Sequence, residues 1–584
     1  MGGRNIMNKN KWLSAFLVTS LALTPTLASA DSIGQHDANK NDPKQAKEAP
    51  AAMVDKDQNK LYDNLEQKLK EMQQNEKLPV IIQFDTSNMP GKSSKALDKK
   101  LKNQVGKYST KHTYSVVKGV AATLNKKQIE KMKNISFVKQ VELDVEVQMR
   151  NGTANHWFGT EKARGDFGLS GDGDGNPDSY SKDDYVVAVI DTGIDASHTD
   201  LDEGKVLGWK DYVNGQVNPY DDQGHGTHVA GIAAGEGEAN ATYKGVAPEA
   251  GLVGIKVLDS QGSGSMSDIA AGVDWAVQNK DKYGIEVLNL SLGSSASSDG
   301  TDITSEAVNN AVDAGLVVMV AAGNSGPETY TVGSPGAAEK AITVGAAADP
   351  GEGGYFLADF SSRGYTADER IKPDIVAPGY NITAPEANTG NGYIAHSGTS
   401  MATPFTAGTA LLLLDANPSL TPAQLESHLT GTAEDWGPAG KDIDYGHGLL
   451  DGYAAVESAG GLSGTNIAKP DHFYADGNLS GSGASDVYEL EVTNTDYPVA
   501  LTTIMPDWSS SWFYGSSPDF DVYVYDGSGS VVAKSEGTKR QETVSFQPSS
   551  TGTYTVEVYS YSDAGDYFFD TSAGANSLTQ TTDQ

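Results

Sequence analysis

The sequence predicts an α/β protein in which a parallel sheet lies between two helical layers, with a small α+β unit before it and an all-β sandwich after it. Its 584 residues exceed the size of one ordinary domain, so about three or four folded units are expected. Between residues 151 and 460, near-continuous apolar strands alternate with helical segments, which is typical of a sheet buried on both faces. Beyond residue 471 the apolar residues recur at every second position, as in half-buried strands.

The first thirty residues have the pattern of a secretory signal. Lys9 and Lys11 precede an apolar run, Trp12 to Leu23, and the segment Ala28-Ser29-Ala30 supplies the small residues of a cleavage site. A membrane anchor needs about 20 apolar residues, whereas this run has about a dozen. We therefore expect residues 1–30 to be a signal peptide, cut after Ala30, and the protein to be secreted to the extracellular space.

Residues 31–150 begin with a polar stretch and then follow the element order of a ferredoxin-like unit. Apolar residues at helical spacing predict a helix from Leu61 to Leu78. Over about residues 79–148 the order βαββαβ is expected. Its segments are Pro79–Phe84, Ser93–Tyr108, Tyr114–Leu124 (strand, turn and strand), Asn125–Lys133 and Val138–Val147.

Residues 151–460 alternate between strands and helices. The expected strands are Asp184–Ile190, Gly251–Leu258, Gly284–Leu290, Leu316–Ala322 and Ala341–Gly345. The expected helices are His228–Gly235, Ser265–Asn279, Thr304–Ala314 and Met401–Leu414. Functional side chains are expected in the loops beyond the carboxyl ends of such strands, because these ends meet at one edge of a parallel sheet.

A glycine-rich stretch separates the last unit from the rest. Gly460 to Gly464 predicts a linker at residues 461–470. The strands that follow are rich in Thr, Ser and Tyr, and Asp526-Gly527 is a turn signal between two of them. We expect a separate β-sandwich or jelly roll at residues 471–584.

Charge is divided unevenly along the chain. Residues 1–150 carry 25 Lys and Arg against 16 Asp and Glu, a net charge of +9, whereas the remainder carries 18 against 61, a net charge of −43. A basic N-terminal piece that docks on an acidic remainder would explain this difference, and so would a solubilising acidic surface. Nucleic acid is not an expected partner, because the acidic part would repel polyanions. The chain has no cysteine, so its stability must come from core packing or bound metal.

Three short segments carry residues suited to nucleophilic catalysis: Asp191-Thr-Gly-Ile-Asp195, Gly224-His225-Gly-Thr-His228 and Gly398-Thr-Ser400-Met-Ala402. A serine hydroxyl becomes a useful nucleophile when an imidazole accepts its proton, and a buried carboxylate fixes the tautomer of that imidazole. Ser400 opens a predicted helix, where free backbone N–H groups can help to hold an oxyanion. Each residue alone has an ordinary structural explanation, and only the combination indicates catalysis.

Together, these segments resemble the Asp, His and Ser boxes of the subtilases, the subtilisin-like serine proteases, over about residues 155–455. The resemblance implies a subtilisin-like three-layer catalytic domain at residues 151–460, with Asp191, His225 and Ser400 as its triad. His228 and Asp195 then lie outside the triad. A fourth segment, Ala321-Ala-Gly-Asn324, resembles the one that holds the oxyanion-hole asparagine, which implies this role for Asn324. The implied acyl-enzyme mechanism needs no cofactor for catalysis.

The resemblance extends to the substrate cleft. Gly262-Ser263-Gly264 and Ser291-Leu292-Gly293 resemble the two edges that pair with an extended peptide, which implies broad tolerance of substrate sequence. Gly333 and Gly336 lie in a segment that resembles the floor of the first side-chain pocket. These segments contain no charged residue, so apolar or aromatic substrate side chains are expected there.

The two flanking units also resemble known domains. Residues 79–148 resemble the subtilase propeptide, so residues 31–150 would act as an intramolecular chaperone and inhibitor. The zymogen would then cut itself between Val147 and Ala154. Strands near residues 519–526 and 552–558 resemble the bacterial pre-peptidase C-terminal domain. We expect the mature enzyme to act on protein substrates as a monomer, without a membrane anchor.

Structural calcium is expected at a loop that resembles an EF-hand. Its candidate ligands, at loop positions 1, 3, 5, 7 and 12, are Asp172, Asp174, Asn176, Asp178 and Asp183. Pro177 stands where the usual loop has glycine, so a solvated acidic turn is the alternative. The subtilase resemblance adds Asp200 as a calcium ligand, although the segment Glu236–Tyr243 lacks the asparagine-rich form that completes that site.

Two other functions are open at this point. A processing protease of narrow specificity would have a cleft rich in acidic residues and a strong requirement for basic substrate side chains, which the pocket segments do not indicate. A protease fold that serves only in binding would have a damaged triad or oxyanion site, whereas all four of those positions are intact.

Overall fold

The computed structural model describes residues 59–72, 76–85, 92–114, 118–143, 153–177, 179–509 and 517–583. The chain divides into two compact units, Met1–Val147 and Gln148–Gln584. The expected signal peptide and most of the expected self-cleavage segment lie outside the described residues. None of the helices in the described ranges is both long and apolar enough to cross a membrane.

The first unit contains a four-stranded antiparallel sheet in the predicted βαββαβ order. Its elements are α1 (Asp63–Glu71), β1 (Lys77–Phe84), α2 (Ser94–Val105), β2 (Ser109–Tyr114), β3 (Gly119–Asn125), α3 (Lys126–Met132) and β4 (Val138–Leu143). The strand order is β2-β3-β1-β4. Helix α1 is shorter than predicted, because Leu78 pairs with Leu124 as part of β1. The apolar face of α1 nevertheless joins the core of this unit through Leu65 and Leu69.

The second unit is built around a parallel sheet of seven strands. The strands in this part of the chain are β5 (Val186–Asp191), β6 (Val206–Asp211), β7 (Gly251–Lys256), β8 (Ile285–Leu290), β9 (Val317–Ala321), β10 (Ile342–Ala347), β11 (Gly364–Tyr365), β12 (Ile371–Lys372), β13 (Ile375–Pro378), β14 (Ile382–Pro385) and β15 (Tyr393–His396). The sheet has the order β13-β10-β9-β8-β5-β7-β6, while β11-β12 and β14-β15 form separate two-stranded pairs. Strands β5, β7, β9 and β10 are buried at every residue, as expected for a sheet covered on both faces.

Helices cover both faces of this sheet, which confirms the predicted three-layer fold. They are α4 (Thr153–Trp157), α5 (Thr160–Phe167), α6 (His225–Ala234), α7 (Met266–Tyr283), α8 (Ile303–Asp313), α9 (Thr399–Ala416), α10 (Pro422–Gly431) and α11 (Gly452–Gly460). Apolar residues of α7 and α8 form one core with the sheet. Those of α6, α9, α10 and α11 form the other.

The strand order places a crevice at the carboxyl end of β5. Strand β5 pairs with β7 on one side and with β8 on the other, so the chain extends the sheet in both directions from this strand. The loops that leave such a point diverge and open a crevice outside the strand ends.

The C-terminal residues form the predicted β-sandwich. Its strands are β16 (Asp471–Leu479), β17 (Ser485–Val492), β18 (Val499–Ile504), β19 (Asp519–Tyr525), β20 (Val531–Ser535), β21 (Gln541–Phe546), β22 (Gly552–Ser562), β23 (Gly565–Ala573) and β24 (Ala575–Asp583). The two antiparallel sheets have the orders β16-β23-β18-β21 and β20-β19-β22-β17-β24.

The sandwich packs against the α/β part of the same unit. Ile504 and Phe568 of the sandwich belong to the same hydrophobic cluster as α6 and α9. Backbone N–H groups of Tyr355 and Leu357 donate hydrogen bonds to hydroxyls of the sandwich. The glycine-rich stretch therefore joins two parts that pack against each other, while most buried apolar residues of the sandwich form a core of their own.

Candidate active site

The three candidate catalytic side chains meet at the carboxyl edge of the parallel sheet. Asp191 is the last residue of β5, His225 is the first residue of α6 and Ser400 is the second residue of α9. His225 and Ser400 line a cavity of about 630 Å³, and Asn324 lines it with them. Asp191 is fully buried and reaches the cavity only through His225.

Asp191 and His225 form a hydrogen-bonded pair. The distance from His225 Nδ1 to Asp191 Oδ1 is 2.8 Å, and the same oxygen accepts a bond of 2.7 Å from the backbone N–H of Thr192. Burial alone would lower the pKa of His225, but the charge of Asp191 and its hydrogen bond outweigh burial and raise this pKa. The pair thus fixes the imidazole with Nε2 left for another partner.

Glycine and a buried carboxylate shape the loops around this pair. A Cβ on Gly226 would lie 2.2 Å from the carbonyl oxygen of Gly193, so no side chain fits at that position. Asp221, which the sequence did not single out, accepts hydrogen bonds from Gly224 N–H at 2.8 Å and from Thr227 N–H at 2.9 Å. These bonds satisfy free N–H groups at the start of α6 and hold His225 in place.

Ser400 is tied to Ser291 by two hydrogen bonds. The Ser400 hydroxyl donates to the Ser291 carbonyl oxygen at 3.1 Å, and the Ser291 hydroxyl donates to the Ser400 carbonyl oxygen at 2.9 Å. The second bond has a clear origin, because Pro404 lies four residues after Ser400 and has no N–H to complete the helical bond. Ser291 therefore satisfies the carbonyl that Pro404 leaves open.

The side-chain amide of Asn324 has a defined orientation. Its Oδ1 atom accepts from the Thr399 N–H at 2.9 Å and from the Thr399 hydroxyl at 3.1 Å. The Nδ2 group is therefore the end of the amide that can donate to an anion beside Ser400. Thr399 lies inside the serine motif, but no pattern in the sequence indicates that it orients Asn324.

His228 and Asp195 have hydrogen-bond partners outside the Asp191–His225 pair. His228 is fully buried, and its Nε2 donates to the carbonyl oxygens of Ile382 and Ile394, which ties α6 to the β14–β15 hairpin. Burial is the main cause that lowers its pKa to about 3. Asp195 instead accepts hydrogen bonds from the backbone N–H groups of Ser197 and Asn388.

Six of the eight candidate substrate-binding residues line the same cavity. They are Gly262, Ser263, Gly264, Ser291, Leu292 and Gly293. Gly333 and Gly336 do not line it, because their backbone packs behind the wall. A Cβ on Gly333 would lie 1.9 Å from the Ser294 carbonyl oxygen. Their neighbours Ser334 and Pro335 take that place in the lining.

The candidate calcium ligands are only partly brought together. Asp172 and Asp174 lie with Asp184, rather than with the predicted Asp183, so that one carboxylate oxygen of each falls within 4.8 Å of the others. Asp183 is exposed and pairs with Lys182. The Asn176 amide donates to the Ser179 hydroxyl, and Asp178 lies outside the described residues. The buried member of the group is Asp184, 4% exposed.

Asp200 lies at a different place and has other partners. It is fully buried, and its two carboxylate oxygens accept the hydroxyl of Tyr393 at 3.0 and 2.9 Å. The backbone N–H of Ala239 approaches the same carboxylate at 3.4 Å. A tyrosine hydroxyl and a backbone N–H thus face the carboxylate for which the sequence suggested calcium, and among the described residues Asp200 does not belong to a cluster of carboxylates.

Comparison with known proteins gives matches along most of the chain. The model of the subtilase family matches residues 182–448. The model of the Tk-SP N-propeptide domain matches residues 56–128, and that of the bacterial pre-peptidase C-terminal domain matches residues 484–560. Serine protease AprX of Bacillus subtilis (strain 168) is 44% identical over 293 residues, which are 46% of this chain and 66% of AprX. Subtilisin E of the same organism is 37% identical over 347 residues, which are 59% of this chain and 82% of subtilisin E. Among solved structures, sphericase is 34% identical with a TM-score of 0.42, over 52% of this chain and 99% of its own.

Proposed function

Because this chain belongs to the subtilase family of serine proteases, we propose that Asp191, His225 and Ser400 are the triad with which it hydrolyses peptide bonds. The observation that carries this proposal is the bond of 2.8 Å between His225 and Asp191, at the wall of the cavity into which Ser400 opens. A histidine held by a buried carboxylate beside a serine at a helix start is the arrangement that acyl transfer requires.

The proposed reaction begins when the Ser400 hydroxyl turns from the Ser291 carbonyl to His225 Nε2. His225 takes the proton as Ser400 Oγ attacks the substrate carbonyl, and a tetrahedral oxyanion forms. His225⁺ then gives the proton to the leaving amine, the C–N bond breaks and an acyl-enzyme remains. Water then attacks the acyl-enzyme while His225 takes its proton, and His225⁺ returns that proton to Ser400 Oγ as the ester bond breaks. This step releases the carboxylic acid and restores the enzyme. Asp191 stays charged throughout and holds the imidazole.

The oxyanion is proposed to bind between Asn324 Nδ2 and the backbone N–H of Ser400. Thr399 supports this role, because its two bonds to Oδ1 turn the amide so that Nδ2 is left to donate. Removal of one such donor typically costs about 10²–10³ in rate.

Substrate binding is proposed to depend mainly on the backbone of an extended peptide, and specificity is proposed to be broad. The segments 262–264 and 291–293 line the cavity and are free of charged side chains. Main-chain pairing of this kind tolerates many substrate sequences. Ser334 and Pro335 are proposed to line the pocket for the residue whose carbonyl Ser400 attacks.

The chain is further proposed to be a secreted zymogen. The signal pattern at residues 1–30 supports export, and the basic net charge of residues 1–150 supports docking of the propeptide on an acidic enzyme. Residues 31–150 would help the enzyme to fold and inhibit it until Ser400 cuts the connecting segment. The mature enzyme is proposed to be a monomer.

A structural calcium ion is proposed at Asp172, Asp174 and Asp184. One oxygen of each carboxylate lies within 4.8 Å of the others, and these carboxylates also accept backbone N–H groups, such as those of Gly175 and Ser181. A hard divalent cation would use their remaining lone pairs and offset their mutual repulsion. A chelator such as EGTA should lower the thermal unfolding midpoint of the inhibited wild type. Asp184→Asn should remove this response, while the matched neighbour variant Asp183→Asn should keep it. An unchanged midpoint in the wild type, or loss of the response only in Asp183→Asn, would refute the site.

The proposed function is tested with purified wild type, Ser400→Ala and the exposed-serine control Ser427→Ala. Wild type and Ser427→Ala should process themselves and degrade casein. Ser400→Ala should stay unprocessed in isolation and leave casein intact, because the nucleophile is gone. If Ser400→Ala matures alone and degrades casein, the assignment of the nucleophile is wrong.

A further inference from the structure

A group of hydroxyls lines part of the active-site cavity. Thr304 and Ser334 are both lining residues of the cavity into which Ser400 opens, and they are 1% and 6% exposed. Their oxygen atoms lie 2.6 Å apart. The carboxylate of Asp302 lies directly behind them and does not line the cavity.

The protons of these hydroxyls are engaged away from the cavity. The Ser334 hydroxyl lies 2.6 Å from Asp302 Oδ1, and the Thr304 hydroxyl lies 2.5 Å from the same oxygen. A hydroxyl has one proton and two lone pairs. Both protons are therefore used within the triangle of these three oxygens, and only lone pairs remain for a group inside the cavity.

Asp302 is held in the charged state that this arrangement requires. Partial burial alone would raise the pKa of Asp302, but hydrogen bonds from Ser334, Thr304 and Ser305 outweigh burial and hold the pKa well below its ordinary value. An ionised carboxylate only accepts hydrogen bonds, so it cannot return a proton to either hydroxyl.

Apolar residues in the same cavity suit an aliphatic stem. Leu292, Ala321 and Pro335 line the same cavity. A long side chain with methylene groups and a donor at its tip can place its stem along apolar atoms and its charged end against oxygen.

From these contacts we infer that Thr304 and Ser334, backed by the charge of Asp302, make the enzyme prefer substrates with a hydrogen-bond donor, above all lysine, at the residue whose carbonyl is attacked. The inference rests on the proposed function, which assigns Ser334 to that pocket. It replaces the expectation of apolar or aromatic side chains there, because Asp302 lies outside the motifs on which that expectation was based.

The test compares peptide substrates that are identical except at that residue. Lysine and norleucine have the same aliphatic chain and differ at its end, and tyrosine and phenylalanine differ only by a hydroxyl donor. In the wild type, kcat/KM should be about tenfold higher for lysine than for norleucine, since a hydrogen bond to a charged group is typically worth about that factor. Tyrosine should exceed phenylalanine by a smaller factor.

Three variants separate the components of the pocket. Thr304→Val removes one acceptor with little change of shape, and Asp302→Asn removes the charge but keeps a residue type suited to the start of α8. Both should bring the lysine-to-norleucine ratio close to one while norleucine is still cleaved. Ser305→Ala is the matched control, because Ser305 donates to Asp302 at 2.8 Å but does not line the cavity. It should keep the wild-type ratio.

The outcomes distinguish this inference from the proposed function. If the wild type cleaves norleucine and phenylalanine substrates as well as or better than lysine and tyrosine substrates, the inference is wrong and the protease assignment stands. This comparison needs no variant, so a folding defect in Thr304→Val cannot obscure it. If lysine is preferred but the ratio is the same in Thr304→Val and Asp302→Asn, another group makes the preference and the inference is also wrong. Failure to cleave casein and every peptide would instead overturn the proposed function.

Discussion

At His225, burial and charge act on the same proton in opposite directions. Burial disfavours the imidazolium, whereas the carboxylate of Asp191 at 2.8 Å favours it, and the net effect is a raised pKa. A general base must be neutral before it can accept a proton. The activity of the enzyme should therefore rise as the pH increases through this raised pKa.

Replacing Asp191 by Asn tests this balance. Without the carboxylate of Asp191, only the charge of Asp221 still opposes burial at His225, so the pKa of His225 should fall and the acid limb of the kcat/KM profile should move to lower pH. The rate at neutral pH should fall by about 10⁴-fold, since the amide no longer fixes the reactive tautomer. The measurement is a pH profile of peptide hydrolysis.

Asp195→Asn is the control for this profile. Asp195 belongs to the same sequence motif but makes no hydrogen bond to His225, so the acid limb should stay where it is in the wild type. If both variants shift the limb equally, or if Asp191→Asn leaves it unchanged, Asp191 does not set the pKa of His225.

The sequence predicts some residues of the site but not others. The candidate triad and Asn324 lie in short contiguous motifs, and the structure brings all four to one edge of the sheet. Thr399 and Asp302 act through hydrogen bonds between segments that are distant in the chain. Such partners carry no local pattern, because only folding brings them together.

Helix α9 lacks one backbone hydrogen bond near its start, and a side chain from another element replaces it. Pro404 removes the donor for the Ser400 carbonyl, and the hydroxyl of Ser291 in the loop after β8 replaces it. The same loop accepts the Ser400 hydroxyl. Ser400, the proposed nucleophile, is therefore positioned by two elements rather than by its own helix alone.

Ser291→Ala should leave the Ser400 carbonyl without a partner and lower the free energy of unfolding by about 1–3 kcal/mol. The double variant Ser291→Ala/Pro404→Ala should recover much of this loss, because alanine in place of Pro404 would supply an N–H to the same carbonyl. Urea unfolding of the phosphonate-inhibited proteins measures both effects. A double variant that is no more stable than Ser291→Ala would show that the bond does not have this role.

Elements were predicted well where apolar patterning was strong. Strands β5, β7, β8, β9 and β10 and helices α6 to α9 were all expected within a few residues of their bounds. Strand β6 was missed because it is an edge strand with only two buried residues. Strand β13 was missed because it has four residues and ends in proline.

On the scale of the whole molecule, a buried ion network joins the sandwich to the α/β part. Asp444 accepts hydrogen bonds from Arg540 at 2.5 and 3.0 Å and from Arg363 at 3.2 Å. Arg540 also approaches the carbonyl oxygen of Pro327, three residues beyond Asn324, at 3.3 Å. All three charged side chains are 2% exposed or less. The sandwich thus contacts the α/β part through buried charges, and one of these charges lies against the loop that follows Asn324.

Arg540→Leu should lower the free energy of unfolding by about 3–5 kcal/mol, because it removes the main partner of a buried carboxylate. Burial alone would raise the pKa of Asp444, but Arg540 and Arg363 outweigh it and lower this pKa. The contribution of the network is therefore present above the ordinary aspartate pKa and is lost as the pH falls through the lowered one. The difference between variant and wild type should shrink in strong acid.

The neighbouring variant Lys539→Ala is the control for this experiment. Lys539 lies 3.4 Å from Asp359 with its side chain 63% exposed, so its loss should cost less than about 1 kcal/mol. Equal destabilisation by both variants in chemical unfolding at neutral pH would contradict the role of the buried network.

The sequence predicted the three folded parts but not how the last one is attached. Alternation of apolar and polar residues predicts that a strand has one buried face, but it does not predict which part of the protein covers that face. The buried Arg363, Asp444 and Arg540 are ordinary charged residues in the sequence, and only the structure brings them together. Local sequence patterns therefore do not predict ionic contacts between residues that are distant in the chain.

Covalent labelling asks directly whether Ser400 is the nucleophile. The mature enzyme is treated with a serine-directed phosphonate, digested and analysed by peptide mass spectrometry. We expect one adduct per molecule, on the peptide that contains Ser400, and loss of activity in proportion to labelling. An adduct at another residue with Ser400 unmodified, or full inactivation without any adduct at Ser400, would contradict it.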